Sequence, residues 1–157
     1  MKIELLKAVD QELEMYPEAF GGAVTSEEVT QAEAKLKVKL PEDFKKFLLR
    51  YGSGAIGEAV VLGLREAEFV STPSFVDKSL QFRNMLPQGY EHFVVIGVDS
   101  AGNPVGFQYP NKEIVIVDFD FGGKKVIAGS FEEYLEKSIG EELNIHFWLE
   151  LWNNPYL

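Results

Sequence analysis

The sequence contains no cysteine and only two histidines, His92 and His146. Without cysteine there can be no disulfide framework, no thiolate zinc site and no cysteine nucleophile. A cysteine-free chain also agrees with a reducing compartment. The longest apolar runs, such as residues 93–98, have the length of a strand, far below the ~20 residues that a membrane span needs. We therefore expect a chain that neither crosses a membrane nor depends on covalent cross-links.

Basic residues are scarce as well. The 157 residues include 15 Lys and Arg against 25 Asp and Glu, so the formal net charge is −10. This excess disfavours nucleic acid as a partner, because phosphate binding requires Lys and Arg to replace counterions. A basic protein partner would instead be steered toward the chain. Solubility alone also explains an acidic composition, and both interpretations stay open.

The N-terminal residues 1–7 mix acidic, basic and apolar side chains and contain no apolar signal-peptide segment. We therefore expect a cytoplasmic protein. Neither an internal repeat nor a linker-like stretch interrupts the chain, and its length suits one domain. The sequence thus predicts a single domain that covers residues 1–157.

The first third of the chain has helical periodicity. Apolar residues recur at helical spacing in 3–16, and Pro17 follows as a stop. Thr25 and Glu28 have the spacing of a capping box, which predicts a helix beginning there. A further helix is predicted after Leu40-Pro41, and Gly52 ends it because glycine readily adopts the left-handed conformation.

The middle of the chain is typical of strands, and the end is helical again. Turn residues at 99–104 and Gly122-Gly123 indicate hairpins and therefore a mostly antiparallel sheet. The segment 72–88 is ambiguous, and its structure stays open. Ser130 and Glu133 form a second capping-box pattern that opens a helix. The predicted fold class is α+β, with helices packed on one face of the sheet. The predicted strands lie within 57–64, 93–98, 105–109, 114–118 and 125–128.

Gly52-Ser53-Gly54-Ala55-Ile56-Gly57 matches the dinucleotide pattern G-x-G-x-x-G. That pattern binds pyrophosphate when a strand precedes it and a helix follows it, so that the helix N-terminus faces the phosphates. Here a helix precedes the glycines and a strand follows them. We therefore interpret the pattern as a connection between a helix and a strand.

Other chemical patterns are equally weak. Asp118 and Asp120 are two residues apart in a strand context, so they would share a face, but no feature marks either as buried. His146 and Glu150 have the i, i+4 spacing of two metal ligands, yet no second ligand pair accompanies them. We therefore expect no catalytic residues, no metal site and no cofactor.

The C-terminal segment 144–152 is rich in aromatic residues. Trp148 and Trp152 are four residues apart, so a helix would place them on one face. They could cover the core or form an exposed anchor for a protein partner. Both interpretations stay open.

The order of motifs from Thr25 onward resembles the SUKH superfamily, also called the Smi–Knr family. A capped helix is followed by Leu-Pro, an acidic pair, an aromatic residue, a basic residue, Phe-Leu and Tyr-Gly. Two later blocks, Phe93–Asn103 and Ser130–Leu135, also resemble that family. The residues that carry the first block are Val29, Leu36, Leu40, Pro41, Glu42, Asp43, Phe44, Lys45, Phe47, Leu48, Tyr51, Gly52 and Gly54.

The resemblance covers residues 25–138 and implies an α+β binding platform. Bacterial members resemble immunity proteins that neutralise toxins, often nucleases, whereas fungal relatives are linked to cell-wall regulation. The family supplies no catalytic residues. We therefore expect a basic toxin domain as partner, or alternatively a cellular protein recognised by a regulatory or scaffold module. The candidate partner-binding residues are Gly52, Gly54, Glu58, Asp99, Asn103, Asp118, Asp120, Glu132, Glu133 and Glu136.

Overall fold

The computed structural model describes residues 1–57, 59–65, 74–118, 120 and 122–140. Within these residues three α-helices come first. Two strands, a fourth helix and four more strands follow, and a fifth helix comes last. The helices are α1 (Ile3–Met15), α2 (Ser26–Leu36), α3 (Glu42–Tyr51), α4 (Phe75–Met85) and α5, which covers residues 131–140 of the described chain. The strands are β1 (Gly54–Ile56), β2 (Ala59–Val61), β3 (Val94–Val98), β4 (Pro104–Gln108), β5 (Glu113–Val117) and β6 (Lys124–Ala128). The predicted α+β class is confirmed.

The helix boundaries follow the local signals. The Thr25 hydroxyl accepts a hydrogen bond from the Glu28 N–H at 3.2 Å, and the Glu28 carboxylate accepts one from the Thr25 N–H, so the predicted capping box is confirmed. Helix α3 starts directly after Pro41 and ends at Gly52, whose φ of 79° is positive. A side chain at that position would be strained, which explains why glycine ends the helix there.

The sheet is an antiparallel meander in the order β3-β4-β5-β6, and β1 and β2 form a separate antiparallel hairpin. Because consecutive strands reverse direction, the turns at 99–103 and 118–123 lie at the same end of the meander. We call this the aspartate end, after Asp99, Asp118 and Asp120. The turn at 109–112 lies at the opposite end.

Most of the core lies on one face of the meander, where α3 and α5 pack. The ring of Phe44 on α3 lies 5.4 Å from that of Phe107 on β4 and 5.1 Å from that of Phe131 on α5. All three side chains are fully buried. Edge-to-face rings contribute about 1 kcal/mol per pair beyond the area they bury. This cluster therefore fixes α3 and α5 against the sheet.

Helix α4 lies along the edge strand β3. The Ser79 hydroxyl donates to the Phe75 carbonyl at 2.6 Å and accepts the Val95 N–H at 2.8 Å, so a buried side chain satisfies an edge amide of the sheet. Phe82 of the same helix packs with Val95 and Val115 in a second, smaller cluster on the opposite face of the meander. The segment left open by the sequence therefore contains a helix that covers a strand edge.

Candidate functional site

A groove of about 560 Å³ lies between strand β2, the start of the turn at 99–103 and helix α5. We call it the β2–α5 groove. It includes Asp99 of the turn at 99–103, which the sequence analysis selected, and Ala59 and Val60 of β2. The residues that line it are Ala59, Val60, Gly97, Val98, Asp99, Ser100, Val105, Ile116, Ile127, Tyr134, Lys137 and Ser138.

Close backbone packing between β2 and β3 builds one wall of the groove. The Leu62 N–H donates to the Ile96 carbonyl at 2.8 Å. A Cβ atom added at Gly97 would lie 3.0 Å from the Val60 carbonyl oxygen, so a larger residue would push the two strands apart. Glycine at position 97 thus keeps the wall closed.

Apolar side chains supply more of the groove surface than polar ones do. Val105, Ile116 and Ile127 come from three successive strands of the meander, and Tyr134 comes from α5. Two further valines at the groove are partly exposed, with Val60 at 43% and Val98 at 39%. Exposed apolar side chains beside a concavity are typical of a binding surface.

Asp99 stands at the rim of the groove, and its carboxylate organises the turn. It accepts the N–H groups of Asn103 at 2.8 Å and of Ala101 at 2.9 Å, and a further bond comes from the Asn103 side chain. The bond from the Asn103 N–H is the main cause that holds the pKa of Asp99 below its ordinary value. Asp99 is therefore an ionised, rigidly held carboxylate, and Asn103 completes its turn.

Asp118 and Asp120 lie in the turn between β5 and β6. Strand β5 ends at Val117, so the expectation that the two carboxylates share a strand face is wrong. The Asp118 carboxylate accepts the Asp120 N–H at 3.0 Å. The Asp118 N–H donates to the Gly123 carbonyl and the Gly122 N–H donates to the Asp118 carbonyl, and these two bonds close the turn. The aspartate side chain readily accepts a hydrogen bond from the backbone amide two residues ahead, and this bond favours a turn over a strand.

Basic residues partly balance the aspartate end. Lys124 and Lys125 begin β6 there, but the Lys124 ammonium reaches along the sheet to the side-chain oxygen of Gln108. At the groove itself, the Lys137 ammonium lies 2.9 Å from the Glu133 carboxylate and 2.9 Å from the Ile127 carbonyl. The positive charge nearest the apolar lining is thus neutralised within the chain, whereas the rim carboxylate of Asp99 forms no ion pair among the described residues.

The three acidic candidates on α5 have internal partners. Glu132 accepts the Lys2 N–H at 2.6 Å, and Glu136 forms an ion pair of 3.0 Å with the Lys2 ammonium. Glu133, besides its ion pair, accepts the Gly129 N–H, while its own N–H donates to the Ser130 hydroxyl. The predicted capping by Ser130 is thus present, but the glutamate reaches one residue farther back than a capping box requires.

Gly52 and Gly54 are buried. A Cβ atom at Gly52 would lie 1.8 Å from the Gly22 carbonyl oxygen, and one at Gly54 would lie 2.8 Å from the Phe20 ring. Both glycines therefore allow close approach of the chain inside the domain. The predicted order of a helix that ends at Tyr51 and a strand that follows is confirmed, but the strand begins at Gly54, inside the glycine pattern, and not near Gly57.

Some predicted features lie outside the described residues. Glu58 is one, and the aromatic segment 144–152 with Trp148 and Trp152 is another. The pair His146 and Glu150 lies there too. The exposed valines at positions 60 and 98, by contrast, were missed by the sequence analysis. Ala59, Val60 and Val61 are all apolar, so the sequence contains no signal for which face of the strand is exposed, and the structure places Val60 on the outer face.

The residues of the Leu-Pro motif hold the fold together. Glu33 of α2 is only 7% exposed. Its carboxylate accepts the Leu40 N–H at 2.8 Å and lies 3.4 Å from the Lys45 ammonium. Asp43, the second member of the acidic pair, accepts the Glu132 N–H at 3.0 Å at the start of α5. The motif therefore connects α2, α3 and α5 through side-chain to backbone hydrogen bonds.

These features define an α+β protein with an apolar groove beside rigid turns. The model of the SMI1 / KNR4 family (SUKH-1) matches residues 23–137, well over half of the chain, and the protein belongs to this family. Helix α1 lies outside the matched region. A comparison with curated proteins finds no match. Among the described residues, no helix has the length and apolar character needed to cross a bilayer.

Proposed function

We propose that this protein is a non-enzymatic binding module that acts as an immunity protein: it neutralises a basic toxin domain by direct contact at the β2–α5 groove. Membership of the SUKH-1 family supports a binding role. The observation that carries the proposal is the groove itself, in which the exposed Val60 and Val98 stand beside the ionised rim carboxylate of Asp99.

In the proposed complex, apolar contacts and net charge have different roles. Apolar side chains of the toxin fill the groove and supply affinity, since buried anchors dominate interface energies. The net charge of −10 draws a cationic toxin toward the chain and speeds association. Nuclease toxins are often cationic because they hold phosphates. The partner we commit to is therefore a basic protein domain with an apolar anchor.

The test begins with affinity capture from the native organism at low and high salt, followed by mass spectrometry. We expect one basic polypeptide that salt releases. That polypeptide should be toxic when produced alone in a host cell and harmless when produced together with this protein. Recovery of a cellular protein without toxicity would instead favour a regulatory or scaffold module of the Smi–Knr type.

Matched variants locate the binding face. Val60→Lys and Val98→Lys place a positive charge in the groove and should weaken binding of a basic partner by about 100-fold or more. Val126→Lys is the control, because Val126 is 49% exposed and pairs with Val115, whose side chain packs on the opposite face of the meander. Equal binding by the groove variants and the control would place the interface elsewhere.

A further inference from the structure

A second concavity, of about 480 Å³, lies at the end of the meander opposite to the aspartate end. We call it the Tyr109 pocket. The segment that leads into β3 and the turn between β4 and β5 form its sides, and Lys39 joins them from the connection between α2 and α3. The residues that line it are Lys39, Gly89, Glu91, His92, Phe93, Gln108, Tyr109, Pro110 and Lys112.

The pocket has a fixed aromatic wall. The Tyr109 hydroxyl donates to the Lys39 carbonyl at 2.7 Å, which joins the β4–β5 turn to the α2–α3 connection. Burial is the main cause that raises the pKa of Tyr109, so the phenol stays protonated and keeps this bond at neutral pH. Phe93 and Pro110 extend the apolar surface. An apolar or planar ligand body would therefore meet a preformed surface.

The rim of the pocket is basic, in contrast to the chain as a whole. Among the described residues, the ammonium groups of Lys39 and Lys112 take part in no ion pair, and that of Lys112 lies 6.0 Å from the centre of the Tyr109 ring. The one acidic side chain of the lining, Glu91, turns both carboxylate oxygens to the Gly89 N–H at 3.1 Å. Two lysines and one carboxylate thus line the concavity, and its rim carries a net positive charge.

Arg83 of α4 adds a third positive charge directly behind the pocket wall. Its Nε donates to the Phe93 carbonyl at 3.0 Å and its Nη1 to the Leu36 carbonyl at 2.9 Å. Its Nη2 is buried and has no hydrogen-bond partner in the part of the chain that the structure describes. Desolvation lowers the pKa of Arg83, so the folded chain bears a cost for this charge that a nearby anion would offset.

We propose that the Tyr109 pocket is a binding site for a small organic anion, with a phosphate or carboxylate head between Lys39 and Lys112 and an apolar or aromatic body against Phe93 and Tyr109. Charge-assisted bonds from the two ammonium groups would hold the head, and the aromatic wall would hold the body. The site lies at the other end of the sheet from the β2–α5 groove. It does not depend on the proposed toxin binding.

The test is a titration of the full chain followed by nuclear magnetic resonance of its backbone amides. Adenosine monophosphate supplies a phosphate head and indole-3-propionate supplies a carboxylate head. We expect one of the two to shift the amides of Gly89, Phe93 and Gln108 with a Kd of about 1 mM or below. The neutral analogues adenosine and indole-3-propionamide should bind at least about tenfold more weakly.

The double variant Lys39→Gln with Lys112→Gln should weaken binding of the preferred anion by about tenfold or more. Neither ammonium is bonded within the described fold, so the variant should keep the amide spectrum of the parent. Lys7→Gln, which removes an exposed lysine from α1, is the control and should leave the affinity unchanged. The proposal is overturned if neither anion shifts the pocket amides at about 10 mM, or if the double variant binds as tightly as the control.

Discussion

The carboxylate of Asp10 on α1 lies 2.7 Å from the Nη2 atom of Arg50 on α3 and also accepts the Tyr51 hydroxyl at 2.7 Å. A second bond, from the Arg50 Nε at 3.2 Å, makes the pairing bidentate. Helix α1 precedes the region that the family model matches, whereas Arg50 and Tyr51 lie inside it. This carboxylate is therefore one of the contacts that attach the additional helix to the family core.

Replacement of Asp10 by Asn should reduce the free energy of unfolding by about 1 kcal/mol. The bidentate geometry favours a larger loss, but Arg50 is half exposed, so solvent screens the pair. Urea denaturation measures the effect. Glu14→Gln on the exposed side of the same helix is the matched control and should change stability by less than about 0.5 kcal/mol. Equal losses in both variants would contradict a docking role for Asp10.

The same cluster predicts how stability depends on pH. The Arg50 hydrogen bond is the main cause that lowers the pKa of Asp10 from 3.8, so this carboxylate stabilises the fold above pH 3.8, and the stabilisation is lost as pH falls through the lower folded value. Burial raises the pKa of Tyr51 from 10.0, so its contribution is present below pH 10 and is lost at higher pH. Urea denaturation of the parent and Asp10→Asn should give a stability difference that is constant near neutral pH and shrinks below about pH 4.

Glu33 and Lys45 provide a test of the buried part of the Leu-Pro motif. Glu33→Ala should cost about 3 kcal/mol, because it leaves the Leu40 N–H buried without an acceptor and removes one of the two partners of Lys45. Glu33→Gln keeps an acceptor for the amide and should cost roughly half as much. Thermal or urea unfolding distinguishes the two. A loss that is the same for Ala and Gln would show that charge, and not the hydrogen bond, is the important property.

Asp43 should control the first turn of α5. Removal of its carboxylate by Asp43→Ala leaves the Glu132 N–H without its partner and should cost about 1 kcal/mol, as loss of other caps does. Amide hydrogen exchange should rise within residues 131–140 more than in α2. Glu42→Ala changes the neighbouring acid, which is exposed and pairs only with Lys45 among the described residues, and should leave exchange in α5 unchanged. Unchanged exchange in the Asp43 variant would contradict the capping role.

Two glycines with positive φ separate conformational strain from close packing. Gly22 has φ of 89° with open space beside it, so Gly22→Ala should cost about 1 kcal/mol, the strain alone. Gly52 has φ of 79° and contacts the Gly22 carbonyl, so Gly52→Ala should cost about 3 kcal/mol or more. Urea denaturation compares them. If the Gly52 variant is stable but loses partner binding, the predicted recognition role of Gly52 would replace its packing role.

The sequence was most informative where the signals are local. Thr25 and Glu28 predicted the start of α2, and Gly52 the end of α3, because capping and positive φ depend on residues within one turn. Helix α4 was left open although its own signal is present, since the Ser74 hydroxyl accepts the Asp77 N–H at 3.2 Å. What the sequence could not contain is the bond from Ser79 to Val95, which places α4 on a strand edge.

The candidate site shows the same division. Asp99 and Asn103 were predicted in a turn, and the structure places both there, because the hydrogen bonds involved span four residues or fewer. The strand position expected for Asp118 and Asp120 was wrong for an equally local reason, the bond between the two residues themselves. Neither pattern indicated that Val60 would lie beside Gly97, since that contact joins strands from different hairpins.

The sequence by itself determined the acidic charge, the α+β class, the capped helices and the resemblance to the SUKH family. Each of these depends on composition or on short spacings that the chain carries in any conformation. Only the tertiary structure decided that Gly52 and Gly54 are buried, and that β2 and α5 enclose a groove. Those features depend on contacts between segments far apart in the chain, and such contacts exist only once the core around Phe44 has assembled.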